Sequence, residues 1–168
     1  MSEQNKITLG EGNTPFIKID DIYFKCEYKN PTGSHKDRAF AYQILQLYKK
    51  GIKSAVISSS GNAAISAFNY CKIAGIKLQI FVSWKINRNK LKVLENLGCN
   101  IHTTQKPVSD AFKFGKKNNA YNLRQSTDAN APVGYQEIAV EIIREGVIPD
   151  GIFVPVSSGT AAVGISMG

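Results

Sequence analysis

Apolar and polar positions fall into short runs near the start of the chain and then settle into a longer period. Phe16 to Ile19 and Ile22 to Tyr28 have strand character and are separated by Asp20 and Asp21, the pattern of a hairpin. From Lys36 to Lys50 the spacing changes. Phe40, Ile44 and Leu47 fall on one side with Ala41, Leu45 and Tyr48 beside them, which predicts an amphipathic helix ended by Gly51. Lys36 therefore opens a helix.

Beyond Lys53 the pattern alternates regularly. It predicts a strand at Ala55 to Ser58, a helix at Asn62 to Ala74 capped by Gly75, and a strand at Leu78 to Val82. A helix at Asn87 to Leu97, a strand at Asn100 to Thr104, a helix at Val108 to Lys117 and a short strand at Ala120 to Leu123 follow. Alternation of this kind implies the α/β class, a parallel sheet with helices on both faces. Ser126 to Pro132 reads as a polar loop. Val133 to Glu145 carries Ile138, Ile142 and Ile143 at helical spacing before Gly146. Ile152 to Val156 reads as a buried strand, and Ala161 to Val163 begin another helix. A strand and a helix start at that point leave an apolar face to be covered. The cover is expected from a C-terminal half beyond these residues, or from a homodimer or another partner chain; failing these, the chain is expected to be poorly stable. No internal repeat or low-complexity stretch interrupts the pattern.

Composition narrows the class of protein. The 168 residues, 43% apolar and 20% charged, are those of an ordinary globular chain. The net charge of +8 favours anionic partners in general. Its lysines are dispersed, without the basic stripe and interleaved aromatics of a nucleic-acid binder, so no nucleic-acid partner is expected. Cys26, Cys71 and Cys99 are odd in number and lack CxxC spacing, which predicts free thiols. Residues 1–6 lack the basic start and apolar run of a signal peptide. No apolar stretch reaches the roughly 20 residues that span a bilayer, so no membrane association and a cytoplasmic location are expected. His102 has no clustered ligand partner, which argues against a metal site.

Three junctions between predicted strands and helices are polar and rich in small residues: Asn30 to Arg38, Ser58 to Asn62, and Ser157 to Ala161. Such junctions line the carboxyl edge of a parallel sheet, where ligands bind, and the free N–H groups of a helix start suit an anion. Taken singly, each is accounted for by capping and turn formation, and Lys36 alone by solvation. Asp37 and Arg38 are expected to be mainly structural, Asp37 as a first-turn acid. Tyr42, Tyr70, Trp84 and Tyr135 are expected to pack in the core.

The four segments E-G-N-T-P (Glu11 to Pro15), N-P-T-G-S-H-K-D-R (Asn30 to Arg38), S-S-S-G-N-A-A (Ser58 to Ala64) and V-P-V-S-S-G-T (Val154 to Thr160) resemble threonine synthase and its fold type II pyridoxal phosphate (PLP) relatives in order and spacing. The resemblance implies a partial fold type II catalytic region over 1–168. A smaller α/β lobe would occupy 53–125, with 1–52 and 126–168 contributing to the lobe interface and the larger cofactor lobe. It implies that Lys36 forms the Schiff base with the cofactor, that Asn62 faces the ring hydroxyl, and that Ser59, Ser60 and Gly61 hold the carboxylate of an amino-acid substrate. Ser157, Ser158, Gly159, Thr160 and Ala161 would hold the cofactor phosphate, Thr160 standing where glycine is common. The residue facing the pyridine nitrogen would come from a second half. The implied reaction is that of a carbon–oxygen lyase, converting O-phosphohomoserine to threonine by phosphate elimination and hydration. A serine/threonine dehydratase, a cysteine synthase, or a noncatalytic module binding a phosphate ligand are the alternatives. The chemistry of the residues agrees: a lysine amine binds an aldehyde covalently and, once released, serves as a base.

Overall fold

The computed structural model describes residues 7–168; residues 1–6, read above for a leader, lie outside the described residues. Strands β1 (Phe16–Ile19) and β2 (Ile22–Lys25) form the expected antiparallel hairpin, Ile19 facing Ile22. Its turn uses Asp20 in left-handed backbone (φ 53°), which aspartate tolerates. The second strand stops at Lys25, short of Tyr28, because Glu27–Lys29 fold into a 3-10 turn. Both Glu27 carboxylate oxygens there accept hydrogen bonds from Arg38.

Helix α1 (Lys36–Lys49) leads into β3 (Ser54–Ser58), α2 (Asn62–Ile73), β4 (Lys77–Ser83), α3 (Arg88–Asn96), β5 (Asn100–Thr104), α4 (Pro107–Asn118) and β6 (Tyr121–Asn122). The four strands form one parallel sheet in the order β5-β4-β3-β6. Successive strand residues serve opposite faces. Ala55 and Ile57 of β3 and Leu78, Ile80 and Val82 of β4 join a core with Phe40, Ile44 and Leu47 of α1, Ala64, Ala67 and Tyr70 of α2, and Leu94 of α3. On the other face Val56 and Phe81 pack against Ala111 and Phe114 of α4. The α/β class and the parallel sheet with helices on both faces are thus as the periodicity predicts.

Helices α5 (Ala131–Arg144) and α6 (Thr160–Met167) complete the described chain. Ala39 of α1, Tyr135, Ile138 and Ile142 of α5, and Ala161 and Ile165 of α6 make a second, smaller core. The expected buried strand at Ile152 to Val156 is not found. The segment pairs with no strand among the described residues, and Phe153 is fully exposed (101%). Its apolar pattern has strand character, but a ladder needs a neighbouring strand and the sheet ends elsewhere, at β5 and β6. Trp84 also departs from expectation. It lies beyond the end of β4 and is 59% exposed, with the Lys85 ammonium 5.2 Å from its ring.

Cys26, Cys71 and Cys99 are free. Burial pushes the Cys71 thiol up to about 12 and the Cys99 thiol up to about 11, so both stay protonated at neutral pH. Among the described residues no helix is long and apolar enough to cross a membrane.

Candidate active site

The turn that opens α1 is pinned from several directions. The Asp37 carboxylate, fully buried, accepts hydrogen bonds from the Thr32 N–H (2.7 Å), the Thr32 hydroxyl and the Ser66 hydroxyl of α2 (2.6 Å). Arg38, one residue on, makes paired hydrogen bonds to two carboxylates: Glu141 of α5 (2.7 and 2.8 Å) and Glu27 (both 2.7 Å). Glu141 also pairs with Lys25 at 2.6 Å and accepts the Asn13 N–H at 2.7 Å. Burial alone would raise the Glu141 carboxyl, but hydrogen bonds from Arg38 and Lys25 hold it down at about 2. Asp37 and Arg38 are structural, as expected, and their bonds fix the helix start from which Lys36 projects.

Lys36 Nζ donates to Gln125 Oε1 at 3.0 Å and to the Tyr135 hydroxyl at 3.1 Å. Tyr135 in turn donates to Gln125 Oε1 at 3.1 Å, closing a triangle. Among the described residues no carboxylate pairs with this ammonium. Burial lowers the Lys36 pKa, because the charged form loses hydration without gaining a counter-ion. Burial and then the neighbouring Lys36 charge lower that of His35. A larger share of neutral amine makes Lys36 a better nucleophile and base.

Lys36 faces a cavity of about 590 Å³ at the carboxyl ends of the sheet strands, a size suited to a cofactor with a small substrate. All three polar junctions reach it. Ser59, Gly61 and Asn62 at the start of α2, and Ser157, Ser158, Gly159 and Ala161 at the start of α6, line it together with Gln125. Ser59 Oγ accepts the Gly61 N–H at 3.3 Å. Ser60 and Thr160 do not line the cavity; Thr160 is buried, its hydroxyl 2.9 Å from that of Ser158. Among the described residues the lining includes Lys90 and Arg124 beside Lys36 and no aspartate or glutamate. Sequence reasoning missed Gln125, which falls just before the loop read from Ser126, and assigned Tyr135 to packing alone. Tyr135 does pack in the core, but its hydroxyl reaches Lys36 across 99 residues of chain, a contact no spacing rule reveals.

An amine without a carboxylate partner, two helix starts with free N–H groups, and the buried Gln125 Nε2, unpartnered among the described residues, form a setting for an aldehyde that carries an anionic group. A lysine-centred cavity at the strand ends of a parallel α/β sheet stands where small molecules and cofactors are commonly bound. The profile of the family described as pyridoxal-phosphate dependent enzyme matches residues 7–168, and the chain belongs to that family, whose cofactor is PLP.

Among solved structures, the chain is similar to O-ureido-L-serine synthase (21% identity, TM-score 0.87, 97% of this chain and 58% of that one). It is also similar to a hydrogen sulfide-producing enzyme of Fusobacterium nucleatum (25%, 0.80, 87% and 49%) and a PLP-dependent aspartate racemase (25%, 0.82, 90% and 52%). The chain thus spans about half the length of these relatives (49% to 58%) and has the fold of the N-terminal portion of fold type II PLP enzymes. None of the three is a threonine synthase, so the sequence reading is upheld for the family and the cofactor and goes no further.

Proposed function

We propose that this chain forms the cofactor-lysine half of a PLP enzyme that removes the α-proton of an amino acid and expels or exchanges an oxygen-linked side-chain group. The reading rests on one observation: Lys36 Nζ sits at the cavity wall, held by two neutral partners and lowered in pKa by burial. In this reading Lys36 binds the cofactor aldehyde and Asn62 meets the ring hydroxyl. Ser157, Ser158, Gly159, Thr160 and Ala161 hold the phosphate. Ser59, Ser60 and Gly61 take the substrate carboxylate at the start of α2, where helix N–H groups favour an anion. When bound, PLP supplies an electron sink for the carbanion left at the α-carbon. Lys36, free as an amine, takes the α-proton at Nζ, while the pinned α1 start keeps that atom in line with the cavity.

An O-substituted serine is the preferred substrate class, in the manner of cysteine synthases. An O-ureido-L-serine synthase and an O-acetylserine dependent cystathionine β-synthase from Helicobacter pylori (24% identity, TM-score 0.74) support it by their names. Threonine synthase is the second reading, favoured by the E-G-N-T-P and P-T-G-S-H-K-D-R segments. The exposed Ile152 to Val156 segment is covered, in this proposal, by the remainder of the fold, carried by the same chain or by a partner.

The test is to mix the purified protein with PLP, reduce with borohydride and map the labelled peptide. Label on Lys36, abolished in K36A, is expected; label scattered over surface lysines overturns the reading. Turnover of O-acetylserine with sulfide, compared with serine, threonine and O-phosphohomoserine, then decides between the two substrate classes.

A further inference from the structure

Tyr135 is fully buried and absent from the cavity lining, yet its hydroxyl stands 3.1 Å from Lys36 Nζ. Its position is fixed by close helix approaches on two sides. At Gly134, a Cβ would lie 2.2 Å from the Arg38 carbonyl oxygen, so α5 crosses α1 almost backbone to backbone, two residues past Lys36. At Gly164 of α6, a Cβ would lie 2.6 Å from Tyr135 Cβ and 2.2 Å from the Pro132 carbonyl oxygen. Two glycines thus let α1 and α6 close on α5 at Tyr135, and the Arg38–Glu141 pair ties α1 to α5 about two turns beyond Gly134.

The geometry points to Tyr135 as a positioning residue that holds the Lys36 amine in both of its protonation states. This rests on the reading of Lys36 as the cofactor lysine. A hydroxyl both donates and accepts. Toward the ammonium it accepts an N–H while giving its own proton to Gln125 Oε1, as the structure shows. Toward the neutral amine, rotation about the C–O bond turns that proton onto the Nζ lone pair. The gap between ring and amine is kept in both cases, so the amine stays at the cavity wall while protons come and go. Gln125 Oε1 accepts an N–H from either form but gives nothing to the lone pair of the neutral amine, which the hydroxyl can tie.

The hydrogen bond to the ammonium is the charge-assisted and stronger of the two, so losing the hydroxyl disfavours the charged form. The test is Y135F, which keeps the ring packed between the two glycine crossings. The full chain, freed of cofactor, is mixed with PLP across a pH series and quenched with borohydride, and the Lys36 peptide is quantified. The midpoint for Lys36 labelling is expected to fall by about one pH unit in Y135F, a tenfold change in the amine's proton affinity. In the loaded enzyme kcat is expected to fall about tenfold with KM held within about twofold, since the lost contact touches the base and not the substrate. Should Y135F fail to fold, 3-fluorotyrosine at 135 keeps the shape and weakens the acceptor, giving a smaller shift of the same sign. Wild-type label on Lys36 with an unchanged midpoint in the variant overturns this inference and leaves the proposed function standing. Wild-type label elsewhere overturns the function and the inference with it.

Discussion

The sheet core and the crossing of α1 with α5 are held together by opposite means. In the first, Ile57, Ile80, Val82 and Leu94 are almost wholly buried apolar side chains, and the contact is made by area and shape. In the second, Arg38, Glu141, Glu27 and Lys25 form a desolvated ion network across a helix contact that only glycine permits. Apolar packing tolerates small errors of placement. A buried ion network does not, because each group left without its partner keeps its desolvation cost. Lys36 projects from the second region, one residue from Asp37 and two from Arg38, where position is specified by direction as well as by volume.

Breaking the network is expected to be the most damaging change. Glu141→Leu takes the carboxylate from Lys25 and the Asn13 N–H and leaves Arg38 with Glu27 alone, and should cost about 3–5 kcal/mol in urea unfolding. A network that proved worth no more than an exposed ion pair would remove the contrast. The same carboxyl gives the network a pH signature. Its folded value, about 2, lies below its ordinary 4.5, so the folded state resists protonating it. The resulting stability is present in full above about pH 4.5 and is lost as pH falls toward about 2; Glu141→Leu should flatten that limb of the stability curve.

Gly134→Ala is expected next. A methyl group 2.2 Å from the Arg38 carbonyl forces the helices apart, at a cost of about 1–3 kcal/mol by overpacking. Lys36 labelling by PLP and borohydride should fall more than the melting temperature alone accounts for, because the shift moves Tyr135 from the amine. In the sheet core, Ile80→Val should cost only about 0.5–1.5 kcal/mol and leave Lys36 labelling unchanged, the volume loss being absorbed locally. Coupling between that substitution and Lys36 would show that the two regions are one.

The sequence read most clearly where local physics is decisive. The alternation of short apolar strand segments with helical ones, and the i, i+3, i+4 stripe of α1, made the parallel sheet with helices on both faces legible. The three polar junctions and Lys36 at a helix start were legible too, through residue type and the resemblance they carry together. Ile152 to Val156 shows the limit: the pattern records that a segment is apolar, whereas a strand exists only where another strand meets it.

By itself, then, the chain's order of residues determined the class of fold, the family and the place of Lys36 at a helix start. Tertiary structure alone decided that Gln125 and Tyr135 meet that lysine, that the cavity lining passes over Ser60 and Thr160, and that Phe153 stands in solvent. The reason is physical. Secondary structure follows from neighbours within a few positions, while a hydrogen bond spanning 99 residues depends on two helix crossings, each opened by a glycine, and on a buried ion pair.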